Sequence, residues 1–249
     1  MATKRPNILI AVAATALLAP AALCAQTFGY LGDIGPAHWS ELSPSWAACN
    51  AGELQSPANL KDLEKNDRYE RGRKLSIDYG ETTGEIFNNG HTIEVETEGE
   101  NVLVLNGVPY QLTQFHFHTP SEHRVGRRGY DMELHLVHAG ADGSNAVIGV
   151  FLKRGSSSGA LAPIFGALPD TLNVHEPLDQ AFNPADFLPK SRDHYRYLGS
   201  LTTPPCTEGV RWIVMSEPVT VSDEDMAQFA QRIHFNARFV QRTVKSSHK

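Results

Sequence analysis

From Gln114 to His118 the chain reads Gln-Phe-His-Phe-His, with polar and apolar residues alternating at every step. Period two belongs to a β-strand, whose successive side chains point to opposite faces, so Gln114, His116 and His118 project from one side while Phe115 and Phe117 pack on the other. A second run, Glu133-Leu134-His135-Leu136-Val137, repeats the pattern and puts Glu133, His135 and Val137 on a common face. Two such strands cannot leave their phenylalanine and leucine faces in water. They require a sheet with one side covered, and an antiparallel pairing through the connection containing Gly126 and Gly129 would bring three imidazoles to one point.

Three neutral imidazoles with one solvent molecule form the tetrahedral set of a catalytic zinc site whose fourth position stays open. Spacing alone leaves other three-histidine metal sites open. A metalloprotease would need His-Glu-x-x-His on a helix. His175-Glu176 runs into Pro177, with Asp179 where the second histidine should stand, so protease chemistry has no support.

The rest of the chain fits a β-dominated frame. Its 249 residues, 41% hydrophobic, with 20 Gly and 15 Pro, suit one large turn-rich domain. Short runs bounded by Gly, Asn or Pro predict strands at Thr92–Thr97, Val102–Leu105, Gln111–His118, Glu133–His138, Ala146–Leu152 and Val210–Met215. Leu161, Ile164, Phe165 and Leu168 recur at helical spacing, as do Met226, Phe229, Ala230 and Ile233, with Ser222 and Asp225 placed to cap the second helix. No repeat or low-complexity linker divides residues 26–249.

Residues 1–25 differ. Lys4 and Arg5 precede an apolar run from Ile8 to Leu23, the layout of a secretory signal peptide cleaved near Cys24 or Ala25. Pro20 interrupts the run and no basic cluster follows it, which disfavours a transmembrane helix, and Ala21-Ala22-Leu23 is a poor context for lipid attachment at Cys24. Export to the periplasm or beyond is therefore expected, with no membrane association after the leader is removed. Removal leaves Cys49 and Cys206, an even pair for which an intrachain disulfide is the natural expectation in an exported chain. It also takes the net charge from −6 to about −8, which argues against a nucleic-acid partner.

Several strings taken together resemble the α-class carbonic anhydrases, in particular the exported bacterial type. They are Gln114-Phe115-His116-Phe117-His118, Ser121-Glu122-His123 and Glu133-Leu134-His135-Leu136-Val137-His138, with Gly29-Tyr30, His38-Trp39, Gln55-Ser56-Pro57, Asn88-Asn89-Gly90-His91, Gly199-Ser200-Leu201-Thr202-Thr203-Pro204-Pro205 and Trp212-Ile213-Val214 in the family's order. The resemblance spans roughly residues 28–245. It implies a mainly β (α+β) fold: a single domain with a large twisted, mostly antiparallel central sheet, short peripheral helices, and zinc at the base of a conical cleft.

The resemblance also implies a reaction, the reversible hydration of carbon dioxide to bicarbonate and a proton. Zinc on His116, His118 and His135 would acidify its water, and the resulting hydroxide would attack the carbon. Gln114 and Glu133 would orient the ligands through their second ring nitrogens. Thr202 would accept a hydrogen bond from the hydroxide and donate its own proton to Glu122, while the Thr202 backbone N–H and the Thr203 side chain would hold product or anionic inhibitors. Val137, Val147, Leu201, Val210 and Trp212 would form the apolar wall beside the substrate. His91 would carry the proton away through waters ordered by Asn89 and Tyr30, since an unperturbed imidazole titrates near working pH.

Cys49 and Cys206 fall where exported bacterial relatives place a disulfide, which would brace the Thr202 loop. Sulfonamides are expected inhibitors, and the chain is expected to be a monomer or homodimer. Two departures bear on packing: Thr119 stands where many relatives carry Trp, and Asn236-Ala237-Arg238-Phe239-Val240-Gln241 lacks the usual Pro. A noncatalytic binding module of the same fold, and ester hydrolysis as a side activity, are the competing readings.

Overall fold

The structure is a computed structural model that describes residues 27–63, 75–157 and 159–242. The proposed leader lies outside these residues. Eleven strands form one sheet: β1 (Ser76–Asp78), β2 (Gly84–Asn88), β3 (Ile93–Thr97), β4 (Val102–Leu105), β5 (Val108–His118), β6 (Met132–Gly140), β7 (Asn145–Arg154), β8 (Glu176–Pro177), β9 (His194–Ser200), β10 (Glu208–Met215) and β11 (Val219–Val221). The main path runs β8-β2-β3-β5-β6-β7-β10-β9, with β1 joined through β4 to β5 and β11 to β7. All pairs are antiparallel except β10 and β11 against β7.

All six predicted strands form, five of them longer or slightly shifted. The centre of the sheet follows from burial: Ala146 to Leu152 is an unbroken buried apolar run, as expected of a strand covered on both faces. One face carries the main core. Phe115, Phe117, Leu134, Leu136, Ile148, Val150 and Ile213 pack there in one cluster with Ile164, Phe165, Met226 and Phe229. Complete burial of a Phe or Leu side chain contributes roughly 1.5–3 kcal/mol, so this face anchors the sheet and leaves the other free for chemistry.

The helices are short: α1 (Trp39–Leu42), α2 (Ala48–Ala51), α3 (Leu60–Leu63), α4 (Ala162–Phe165) and α5 (Asp223–Arg232). The helix predicted around Leu161–Leu168 is only the single turn α4, although all four apolar residues are buried as expected. In α5 the Ser222 hydroxyl accepts from the Asp225 N–H at 3.1 Å, and Asp223, Glu224 and Asp225 at one end with Arg232 at the other suit the helix dipole. Ala230, read with the apolar face, is exposed, and Ile233 falls just past the last turn. Among the described residues no helix is long and apolar enough to cross a membrane.

Candidate metal centre

The register of β5 on β6 sets Gln114 opposite Val137, His116 opposite His135, and His118 opposite Glu133. Cross-strand partners share a face, so one short stretch of ladder collects all three histidines and both of their proposed supports. The alternation survives because of a bulge. Thr113 is an extra residue between Leu112 and Gln114, which lets Leu112 stay in the main core while Gln114 turns to the histidine side. Ring centroids lie 5.0 Å apart for His116 and His118, 5.2 Å for His116 and His135, and 4.5 Å for His118 and His135. One nitrogen from each ring falls within 4.8 Å of the others.

Each ring is oriented through its remaining nitrogen. His116 Nδ1 donates to Gln114 Oε1 at 2.8 Å, His118 Nδ1 to the Asn236 carbonyl at 2.7 Å, and His135 Nε2 to Glu133 Oε1 at 3.0 Å. This leaves Nε2 of His116, Nε2 of His118 and Nδ1 of His135 facing a common point. His118 Nε2 is buried without a hydrogen-bond partner, a costly arrangement unless another group occupies that position. Burial holds all three rings neutral at ordinary pH. It places His116 well below the usual range, with the neighbouring His118 and His135 adding to the shift, takes His118 down to about 4, and lowers His135. Neutral imidazoles with outer partners are the donor set a zinc ion requires.

Glu133 has four donors. Oε2 accepts from the backbone N–H groups of Glu122 at 2.9 Å and His123 at 2.8 Å, and Oε1 from His123 Nδ1 at 2.7 Å as well as from His135. Burial opposes its ionisation, but the two histidines and their hydrogen bonds outweigh that cost and hold the carboxyl well below its ordinary value. His123 Nε2 accepts from the Tyr197 hydroxyl at 2.6 Å, and Tyr197 in turn meets Ser56 Oγ at 2.8 Å. Ser56 and Ser200 exchange two bonds, Ser56 N–H to Ser200 Oγ at 2.9 Å and Ser200 N–H to Ser56 Oγ at 3.0 Å. A polar chain thus runs from Glu133 to the residue two before Thr202.

Glu122 is the contrasting carboxyl. Burial pushes it up to about 7, against the pull of His135, Thr202 and the Arg238 N–H, which donates to Oε1 at 2.8 Å. Its Oε2 has no closed hydrogen bond and stands 3.6 Å from His118 Nε2. Thr202 is buried in a turn held by Leu201 N–H on the Thr207 carbonyl at 2.9 Å and Cys206 N–H on the Thr203 carbonyl at 2.8 Å, and Thr203 is half-buried beside it. Trp212 Nε1 donates to the Ser200 carbonyl at 2.9 Å, and a Cys49–Cys206 disulfide ties the far side of the turn to α2.

The five apolar positions also come together. Val147 lies opposite Val137 on β6 and Trp212 on β10, and Val147, Val210 and Trp212 form a second buried cluster against which Val137 and Leu201 pack. His91 sits in the turn between β2 and β3. Its N–H and that of Thr92 bond Asn89 Oδ1 at 2.9 and 2.8 Å, and its ring stacks on Phe28 with centroids 4.0 Å apart. It is half-buried, which lowers its pKa. Asn89 Nδ2 donates to Glu94 at 3.1 Å, and Tyr30 is buried against Phe28 and Trp39, its pKa raised by burial and by the charge of Glu122.

Sequence reasoning assigned no role to Asn236, Arg238, His123 or Tyr197. Asn236 and Arg238 drew notice only as part of a departure from the family pattern, and His123 only as part of a motif. Glu85, Glu96 and His175 form a separate group of ionisable side chains, exposed at the edge of the sheet.

Fold and site together define a β-sheet protein with three neutral imidazoles converging beside an apolar wall. The family model for eukaryotic-type carbonic anhydrase matches residues 34–246. A carbonic anhydrase from a Nostoc species is 39% identical over 224 residues, 89% of this chain and 85% of that protein. One from Pectobacterium carotovorum is 38% identical, covering 83% of each. The solved structure of the Thermovibrio ammonificans α-carbonic anhydrase with the inhibitor sulfanilamide superimposes with a TM-score of 0.82 at 40% identity, over 88% of this chain and 96% of that one. The chain belongs to the α-class, or eukaryotic-type, carbonic anhydrase family.

Proposed function

We propose that the chain hydrates carbon dioxide reversibly to bicarbonate and a proton, using zinc held by His116, His118 and His135. The observation that carries this reading is the set of three converging neutral rings, His118 and His135 buried and His116 half-buried, each with one nitrogen engaged and the other free. Zinc held there would supply a Lewis acid able to bring the ionisation of a bound water near neutral pH.

The chain's own residues do the rest. Gln114, Glu133 and the Asn236 carbonyl fix the three rings so that binding the metal and the transition state costs little reorganisation. The Thr202 hydroxyl would donate toward Glu122, which would leave the Thr202 oxygen as an acceptor, and the Thr202 backbone N–H with the Thr203 side chain would hold the product anion. Val137, Val147, Leu201, Val210 and Trp212 present no hydrogen-bonding group that would favour water over an uncharged linear substrate. His91 takes the proton outward, with Asn89 shaping its turn and Tyr30 ordering the path. Sulfonamides and small anions are expected inhibitors, in keeping with the sulfanilamide complex of the Thermovibrio relative. The Cys49–Cys206 bond supports an exported protein working in an oxidising compartment such as the periplasm.

The test is metal analysis of the purified chain with stopped-flow hydration of carbon dioxide, beside His118→Ala. One zinc per chain and fast hydration that falls to background in the variant are expected. Zinc without hydration would sink the proposal in favour of a binding module, and the absence of zinc would sink its metal half.

A further inference from the structure

Asn236 lies in the irregular segment after α5, far from both strands in sequence, yet it is buried to 1% exposure and every polar group it carries is engaged. Its side-chain Nδ2 donates to the His91 carbonyl at 2.9 Å and to the Phe117 carbonyl at 2.8 Å, while Oδ1 accepts from the Thr119 N–H at 2.7 Å. Its backbone N–H donates to the Thr119 carbonyl at 3.1 Å, and its backbone carbonyl receives His118 Nδ1. One residue thus touches both flanks of the ligand His118 and the residue read as the proton carrier.

The bonds inside the His91 turn explain why this matters. Asn88 Oδ1 accepts from Gly90 N–H, and Asn89 Oδ1 from His91 and Thr92, which fixes the shape of the turn but not its place against β5. Placement rests on the β3–β5 ladder, which begins with Glu94 opposite His116, on the Asn173 N–H on the Asn88 carbonyl, on Thr92 Oγ1 at the Phe117 carbonyl, on the Phe28 ring stacked on His91, and, at the His91 backbone itself, on Asn236. Only a primary amide supplies two donors to the His91 and Phe117 carbonyls and an acceptor to Thr119 at once.

We propose that Asn236 is a positioning residue for proton transfer, its side-chain amide holding the His91 turn at a fixed place relative to the His118 end of β5. The inference rests on the reading of His91 as the proton carrier. Proton removal comes after the product has formed, so it limits kcat, whereas capture and conversion of carbon dioxide set kcat/KM. The Asn236 carbonyl that orients His118 belongs to the backbone and survives replacement of the side chain.

Two variants of the full zinc-loaded chain test this. Asn236→Ala removes the amide, and Asn236→Asp keeps its size and the Thr119 acceptor while removing both donors, so one remains informative if the other folds poorly. In either, kcat is expected to fall about fivefold to tenfold, with kcat/KM and zinc affinity by chelator competition within about twofold, and added imidazole should restore kcat. The His91 ring protons, shifted by the stacked Phe28 ring, should move toward free-histidine positions in nuclear magnetic resonance spectra of the zinc-free chain. In a His91→Ala background the Asn236 change should add nothing further to the loss of kcat.

Unchanged kcat and unchanged His91 signals would overturn the proposal, as would a parallel loss of kcat/KM and zinc affinity, which would place the effect at His118 or in the fold. If His91→Ala alone leaves kcat intact, the proton-carrier reading fails and this inference with it. A clear His91→Ala deficit beside silent Asn236 variants overturns only the inference.

Discussion

A histidine buried among apolar neighbours stays neutral, and this chain uses that rule on both faces of its sheet. On the face opposite His116, His118 and His135, His138 is fully buried, its Nδ1 donating to the Ala146 carbonyl at 3.2 Å and its Nε2 accepting from the Tyr79 hydroxyl. Burial takes its pKa down to about 4 from an ordinary 6.5, an effect the backbone carbonyls only partly offset. Because the unfolded ring protonates first as pH falls, the stability His138 confers is whole above 6.5 and drains away between 6.5 and about 4, by on the order of 3 kcal/mol. His138→Gln should therefore flatten the fall of unfolding free energy between pH 7 and pH 4.5 relative to the parent, as measured by urea titration at both pH values. An equally steep fall in the variant would rule this group out. At this scale the histidine cluster and its side-chain partners were legible, since alternation alone puts His116, His118, Gln114, His135 and Glu133 on their faces. Asn236 was not, because its contact with His118 joins positions 118 residues apart and leaves no local pattern.

Strands become a site when their rows align, and two rows across the sheet matter here. One runs Gln114, Val137, Val147, Trp212, Tyr197 and contains three of the five residues proposed as the apolar wall; the next runs His116, His135, Gly149, Val214, Tyr195. Gly149 is the thin point of the second row. A Cβ there would meet Glu133 Oε1 at 3.0 Å and the Val214 methyl groups at 3.5 Å, so a larger residue presses on the carboxylate that orients His135. Gly149→Ala is expected to weaken zinc binding about tenfold while leaving the secondary structure intact, with chelator competition and circular dichroism as the measurements. Undiminished affinity would mean that Glu133 yields freely. The central strands were legible because both periodicity and apolar content marked them. β2 and β9 escape such a reading: in Gly84–Asn88 the two apolar residues, Ile86 and Phe87, are adjacent and show no alternation, and His194–Ser200 mixes charged, aromatic and small residues along an edge. The Thr113 bulge was hidden for a different reason, since alternation cannot reveal an inserted residue whose flanks are each regular.

Across the whole molecule, the order in which distant strands pair has no local signature, and β10 lying parallel to β7 could come only from the family's fold. The same holds for the closing of the chain on itself. Arg238 packs over Trp39 with its guanidinium carbon 5.6 Å from the ring and donates to the Cys49 carbonyl at 2.6 Å, Gln55 Oε1 at 2.9 Å and the Ser56 carbonyl at 2.7 Å. Gln241 N–H reaches the Pro57 carbonyl at 2.8 Å, so the C-terminal path is fixed by hydrogen bonds without the family's usual Pro, and Phe239 is left 63% exposed. Into this closure the Cys49–Cys206 bond adds a link across 157 positions, both sulfur-bearing residues being buried. So long a loop constrains the unfolded chain strongly, so replacing both cysteines with serine should cost about 2–5 kcal/mol and lower Tm by roughly 5–15 °C. The Thr202 turn, however, keeps its own backbone bonds and the Trp212 contact, so hydration activity at 25 °C should survive in the folded variant. Calorimetry beside stopped-flow assays separates the two effects. A lost Tm with retained activity makes the bridge a global brace; activity lost in a chain that is still folded would show that the bridge itself shapes Thr202.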